Sequence, residues 1–552
     1  MPRFRILPKT DEWSGRRIDA IALLTLATGL GIRYWVAANS FVNPDEAYHA
    51  LLATPETFGE LYASVLRSPH PPLFLILLHY VHKLMPTDLG IRLIPLVAGA
   101  LLPWVVYRWI SRGWSHLAGL GALAILSLAP ELIRLSAEAR AYTLELLFMA
   151  GALYLMDSAI ETSSAWRMAG FALLLYGAVL SDYSAVFFTA AAAVYSLLRF
   201  REPHVTAGVK IVWGGSLAGA AGLYALLWMT QIQPSGPFAA AQWSSTGSLR
   251  QAFPQPGQNA FLYALRNTAE QFAFLLRLPA AAVAAAILLF LVSLYLLWRK
   301  PPEGSMWRGR AIVALMVIPF LAACAASIVY LFPYGRTRHT VFLALFIATG
   351  VGIAMEWIAR RWIVPLALVA VVATPVWCAM EGRYMKGIGE PSTRKELMEQ
   401  AIEFLKRSVP PGTVILTESE MRVVLAYYLD TGVRLPEVHR TPSEEITGGW
   451  RLFANRWAFT SLEDLRTDLR VLRARYGFGP EVRIWVLDGG FVPLLKPYLE
   501  ELNRRGELPH LYQFGRAMVA ALTPPGFLWE DPRPEDVEQP EPGSASRPPI
   551  PE

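Results

Sequence analysis

With 552 residues, of which 54% are hydrophobic and only 17% charged, the chain has a membrane composition, and its apolar residues fall in long blocks that no soluble core needs. The net charge of +6 sits in short clusters between those blocks; with no interleaved basic and aromatic patch, nucleic acid is excluded as a partner and the clusters read as topology signals. Cys324 and Cys378, the only cysteines, lie within apolar blocks, so neither a disulfide framework nor a cysteine-based metal site is expected, only buried thiols.

Arg3, Arg5, Lys9, Arg16 and Arg17 precede the first apolar run, and no small-residue cleavage site follows, which predicts a first transmembrane helix rather than a removed leader. The hydrophobic blocks predict about eleven spans, near residues 20–38, 91–107, 117–133, 141–156, 167–181, 184–198, 211–229, 279–298, 311–331, 340–358 and 362–380. With the N-terminus cytoplasmic, the cytoplasmic loops hold Arg108 and Arg112, then Arg167, then Arg199, Arg201 and Lys210, then Arg299, Lys300, Arg308 and Arg310, then Arg360 and Arg361. That arrangement satisfies the positive-inside rule at every loop. The stretch His70–Lys83 is apolar but short and opens on prolines, so Pro71–His82 is expected as a helix in the outer interface, belonging to the first outer loop. Residues 230–278 form another long outer segment with a helical stretch bearing Arg266, Glu270 and Arg277, read as an ordinary loop or a flap.

From Glu381 the composition turns polar and mixed. A helix near Lys395–Leu405, a strand Thr413–Thr417, a helix near Arg422–Leu429 and a strand Val482–Leu487 predict a small extracytoplasmic α/β domain. Leu487-Asp488-Gly489-Gly490 lacks the glycine spacing of a nucleotide-binding fingerprint and reads as a plain strand-to-helix turn. The tail after Pro524, rich in Pro, Glu, Asp and Ser, is too poor in large apolar residues to fold. The predicted fold is therefore mainly α: a polytopic transmembrane bundle over residues 1–380, an α/β domain over 381–524 and a disordered tail over 525–552.

The ionisable residues that hydropathy does not explain collect at the outer ends of helices: Arg33, Asp45, Glu46, His49, His70, Arg92, Glu138, Arg140, Asp182, Arg336, Arg338 and His339. Charges beside a bilayer cost a few kcal/mol each unless they pair or line a wet cavity, so their clustering on one side points to a polar site there, against the alternative of scattered snorkelling side chains.

The first outer loop reads Asn43-Pro44-Asp45-Glu46-Ala47-Tyr48-His49 and then Ser68-Pro69-His70-Pro71-Pro72-Leu73-Phe74, followed by Arg-Leu-x-Pro at Arg92 to Pro95. In order and placement these segments resemble the superfamily of protein-O-mannosyltransferases and aminoarabinose transferases, membrane glycosyltransferases of the GT-C fold. Ser136-Ala137-Glu138-Ala139-Arg140-Ala141-Tyr142 and Pro333-Tyr334-Gly335-Arg336-Thr337-Arg338-His339 are similar to segments of its bacterial members, and the resemblance spans residues 15–380. It implies a donor sugar carried on a polyprenyl phosphate, an acceptor hydroxyl on a lipid, glycan or protein outside a prokaryotic cytoplasmic membrane, and transfer with inversion. Such a transfer needs one base for the acceptor proton, because the departing lipid phosphate is already a stable anion.

By the resemblance Asp45 is that base; the plainer reading is an N-cap of the following helix. Glu46 is a supporting residue that orients the acceptor, assists a metal or faces water. Arg92, Arg140, Arg336 and Arg338 are candidates to hold the leaving phosphate, or else anchors for lipid headgroups. On a helix Glu138 and Tyr142 would share a face, either fixed by an internal ion pair or touching substrate. His70 stands where aminoarabinose transferases carry Lys, which points to the mannosyltransferase side, and His339 completes the substrate-binding set. Asp182, between two spans with almost no loop, is either a wall of the same cavity or, on the preferred reading, a turn residue. No full set of metal ligands is visible, so a divalent metal is not required by the sequence and is left open. A transporter or flippase is the rival reading, but no internal repeat is seen and the charges gather at one interface. A glycan polymerase or ligase is a third, opposed by the His-Pro-Pro segment.

Overall fold

The computed structural model describes residues 15–522 apart from 67, 69, 234–248, 300–306, 382–394, 410–411, 430–442, 448–449, 455, 457–458, 477–483, 491–494, 507–509 and 515–516. The expected tail lies outside the described residues, as does the side chain of Cys378; Cys324 is buried.

Among the described residues seven helices are long and apolar enough to cross a membrane: Arg16–Asn39, Leu93–Gly113, Tyr142–Glu161, Ala207–Ile232, Ala280–Arg299, Gly309–Ile328 and Arg338–Ala359. His116–Leu128 and Pro130–Ser136 form an eighth, bent by 60°. The cause is local: Pro130 has no N–H to continue the ladder, so Ala129 turns extended and the helix restarts in a new direction. Ala165–Val179, Ala185–Arg199 and Ile363–Val376 are apolar but shorter, as is Pro72–Leu84, the segment expected at the interface.

The chain folds as two compact units. The first takes residues 1–37, 65–77 and 92–384. In it the Tyr142–Glu161 helix packs against Ala165–Val179 and Leu93–Gly113, and His116–Leu128 against Ala344–Ala359. That last pair approaches closely because Gly352 has no side chain: a Cβ there would lie 2.5 Å from the Ala118 carbonyl oxygen.

Some of the basic residues read as topology signals do more. Arg199 is fully buried, bonded to Glu202 and 3.7 Å from Asp157, while Asp157 also accepts hydrogen bonds from the indoles of Trp109 and Trp307 (2.6 and 3.1 Å). These residues knit helices at one end of the bundle.

The second unit takes residues 38–64, 78–91 and 385–552, so the C-terminal chain shares its compact body with most of the loop between the first two spans. Its sheet has six strands, β1 Val414–Thr417, β2 Ser443–Thr447, β3 Trp450–Ala454, β4 Ile484–Asp488, β5 His510–Phe514 and β6 Ala517–Leu522, in the order β2-β3-β1-β4-β6-β5. β1 runs parallel to β3 and β4; the outer pairings are antiparallel. β1 and β4 are apolar on both faces because helices cover both, with Leu416, Phe453, Leu469, Val486 and Leu499 in the core. The expected helices extend further than foreseen, as Lys395–Ser408 and Ser419–Leu429. Leu487–Gly490 is the plain turn expected: Asp488 accepts hydrogen bonds from the Gly490 and Leu495 amides (2.8 and 3.1 Å), which uses both its oxygens on the backbone.

Candidate active site

In the helical unit, polar residues gather where several helices begin or end. Glu131 is fully buried on the short Pro130–Ser136 helix and is held by Arg134 from the same helix and by Arg277, whose Nη2 lies 2.6 Å from Glu131 Oε2. Arg134 also pairs with Glu138, and Arg338 is near enough for its charge to act on Arg134. The cluster is held by charge-assisted hydrogen bonds between guanidinium and carboxylate groups.

Glu138 and Tyr142 do not share a helix face, contrary to the expectation. Residues 137–141 form a bend, because the broken span ends at Ser136 and the next helix starts only at Tyr142. The bend carries Arg140, whose Nη2 donates to the Tyr142 hydroxyl at 3.2 Å with the guanidinium 5.5 Å from the ring centre. His339 meets the same tyrosine edge to face, ring centres 6.2 Å apart. Arg140 also acts electrostatically on Asp182. Burial pushes the Asp182 carboxyl above the usual carboxylate range, a rise moderated by hydrogen bonds from Ser184 and then by that arginine. Asp182 accepts the Ser184 amide at 2.9 Å, as a turn residue does, while the Ser184 hydroxyl donates to buried Glu145.

The segment 333–339 is clamped by the Ala260–Leu276 helix. Thr268 and Tyr334 share a hydroxyl contact at 2.7 Å, and Gln271 exchanges two hydrogen bonds with Thr340 (2.6 and 3.0 Å). The part of residues 230–278 that is described is thus a buttress for the arginine-bearing loop. Arg336, by contrast, is 73% exposed and 3.9 Å from Glu270. Arg92 is fully buried and donates to the Ala37 carbonyl at 2.7 Å, which ties the start of one span to the end of the first. The His70 backbone is fixed at both ends: its amide bonds to Ser68 Oγ (3.2 Å) and its carbonyl to Gln231 Nε2 (3.1 Å).

In the other unit, Asp45 and Glu46 begin the Pro44–Leu52 helix. Asn43, not Asp45, is the N-cap: its side chain accepts the Glu46 amide at 3.0 Å, and Glu46 Oε2 accepts the Asn43 amide at 3.0 Å. This reciprocal box follows from Asn-Pro-Asp-Glu, with proline fitting the first helical turn where no donor is needed. Glu46 is therefore buried and committed to the backbone rather than facing water, while Asp45 is partly exposed. His49 is buried on the same helix. Among the described residues no group of three or more His, Cys, Asp or Glu is placed to hold a metal ion.

Residues 69–228 match the family described as dolichyl-phosphate-mannose-protein mannosyltransferase. Two crystal structures of ArnT from Cupriavidus metallidurans align over nearly their whole length: the undecaprenyl phosphate complex at TM-score 0.50 and 13% identity, covering 92% of this chain and 98% of that one, and the apo state at 0.51 and 13%, covering 92% and 99%. The chain shares the fold of these membrane proteins, and its residues 69–228 carry the similarity to the mannosyltransferase family. No curated protein matches it by sequence.

Within the helical unit, buried Glu131, Glu145 and Ser184, and Arg134 beside them, carry no motif in the sequence. Glu131 and Arg134 flank apolar residues inside a block long enough to be one straight span, and only Pro130 hinted that the block breaks there.

Proposed function

We propose that the chain transfers a sugar from a polyprenyl-phosphate donor to an acceptor hydroxyl on the extracytoplasmic face of a prokaryotic cytoplasmic membrane, with inversion at the anomeric carbon. The N-terminus is cytoplasmic and the C-terminal domain extracytoplasmic, an orientation supported by the basic clusters at alternate loops. The observation that carries the reading is the gathering of Arg134, Arg277, Arg338 and Arg140 with Glu131, Glu138, Tyr142 and His339 at the broken helix ends of a GT-C bundle. ArnT, whose fold it shares, binds undecaprenyl phosphate.

In this mechanism the acceptor oxygen attacks the anomeric carbon from the face opposite the phosphate. Asp45 takes the hydroxyl proton as the new C–O bond forms; the bond from carbon to phosphate oxygen breaks, and the lipid phosphate leaves with the electron pair. Arg338 and Arg140 hold its charge, since preorganised cations count for more where water is excluded. Glu138, paired to Arg134, keeps the arginine cluster in place, and Tyr142 with His339 forms an aromatic wall for the sugar. Arg336 and Arg92 play smaller parts, the first because it is exposed and the second because it is spent on the Ala37 carbonyl. His70 borders the acceptor side. The acceptor is a lipid, glycan or protein.

The test is transfer from a panel of radiolabelled polyprenyl-phosphate sugars to native membrane acceptors, native protein against Asp45→Asn at equal folding. Loss of a general base lowers the rate by roughly 10²–10⁴-fold. No transfer by the native protein, or an Asp45→Asn variant of undiminished rate, would sink the reading and favour transport.

A further inference from the structure

The C-terminal chain and the loop after the first span share one compact unit, and a short relay of contacts inside that unit ends at the helix that carries Asp45. Asp88, from the 78–91 stretch, accepts from the Tyr427 hydroxyl at 3.1 Å and the Tyr428 hydroxyl at 3.0 Å, and Lys395 Nζ lies 3.1 Å from the same carboxylate. Because Tyr428 spends its proton on Asp88, its oxygen is left to accept, and it accepts the buried Val42 amide at 3.4 Å. The Tyr428 ring also stacks on buried Phe41, with centres 4.8 Å apart and planes 13° from parallel. Phe41 and Val42 directly precede Asn43, the residue that opens the Pro44–Leu52 helix and is locked to Glu46. The Ser419–Leu429 helix that bears Tyr428 also packs along the Pro44–Leu52 helix and brings Glu420 close enough for its charge to feel Asp45.

A buried backbone amide needs a partner, so the Val42 bond fixes the chain at that point, while the stacked ring fixes its direction. We propose that Tyr428, held by Asp88, is a positioning residue for the transfer reaction: it sets the entry of the Pro44–Leu52 helix and with it the aim of Asp45. The C-terminal domain is then part of the catalytic apparatus and not a cover. The inference rests on Asp45 being the general base. Misplacing a base by about 1 Å costs rate steeply while leaving donor affinity alone, because the donor is held elsewhere.

Full-length Tyr428→Phe keeps the stacked ring and loses the relay. It is compared with Tyr427→Phe, which loses a bond to Asp88 but has none to Val42, and with Asp45→Asn. The expected result is a kcat lowered about 10- to 100-fold in Tyr428→Phe with donor KM unchanged, and near-native kcat in Tyr427→Phe. Hydrogen exchange of the 41–47 amides should quicken in Tyr428→Phe only. Phe41→Leu, which keeps the hydroxyl relay and loses the stack, should show a smaller loss of the same kind and serves if Tyr428→Phe does not fold. Native kcat and native exchange in Tyr428→Phe, equal losses in Tyr427→Phe, or a change confined to KM would each overturn the proposal. An active Asp45→Asn would overturn the general-base reading instead, and the exchange measurement would still decide whether Tyr428 fixes the loop.

Discussion

Gly335→Ala probes how firmly the arginine-bearing loop is held. Gly335 has φ +119, a region that L side chains rarely adopt, and a Cβ there would lie 2.1 Å from Asn267 Oδ1, 2.9 Å from its Cγ and 3.0 Å from its Cβ. Turning the amide cannot clear three atoms of the same residue, and Asn267 is buried and bonded to the Tyr263 carbonyl at 3.1 Å. Nor can the loop slide: Tyr334 donates to the Ala252 carbonyl at 2.9 Å on one side, and Thr340 is bonded to Gln271 on the other. Backbone strain at such a position costs about 1–3 kcal/mol and overpacking about as much again. The expected loss is therefore about 2–5 kcal/mol, measured as stability of the full-length protein in detergent, with a rise in donor KM because Arg338 and His339, the proposed donor contacts, follow in the same segment. Adding Asn267→Gly should recover the steric share and not the strain. A loss below about 1 kcal/mol from Gly335→Ala, or full recovery in the double variant, would refute this account of the loop.

Arg134→Met should destabilise the protein by about 3–5 kcal/mol, because it breaks the buried pairs with Glu131 and Glu138 from one side. Arg277→Met should cost clearly less, its side chain being 35% exposed; equal losses in chemical denaturation would count against the asymmetry. Burial, and then the Asp45 carboxylate, push the Glu420 carboxyl up to about 7 from an ordinary 4.5. The folded state thus keeps a proton that the unfolded chain releases, so stability is greatest at the acid end and falls as pH rises through that interval, at up to about 1.4 kcal/mol per pH unit. Glu420→Gln should flatten this slope, read as pH-dependent exchange protection of the Ser419–Leu429 helix after correction for intrinsic rates; an unchanged slope would show that Glu420 is not its source.

The membrane bundle was legible because a helix that crosses lipid must satisfy its own backbone and present apolar side chains over its length, and both demands are written locally. The break at Ala129–Pro130 was half legible. Proline announces a discontinuity, but whether a helix kinks or ends depends on what receives the freed groups, and here the restarted helix is held by Arg277 from residues far along the chain. The same distance explains Glu46. Asn-Pro-Asp-Glu carries a capping signal and an acidic pair at once, and only the geometry assigns one carboxylate to the backbone and leaves the other partly exposed.

What the sequence could least express is that most of the loop after the first span and the C-terminal chain form one compact unit. The bond from Val42 to Tyr428 joins residues 386 positions apart, and neither Tyr427-Tyr428 nor Asp88 belongs to any motif of the bundle. A tyrosine pair on a helix reads as ordinary packing until a carboxylate is found to hold both hydroxyls. A loop bearing the proposed base Asp45 gains precision only when rigid structure supports it, and the entropy of ordering that loop has to be offset by contacts from somewhere. The sheet and its helices supply those contacts from the far end of the chain. Changes at the Phe41–Tyr428 stack should therefore act on turnover before they act on the fold of the bundle.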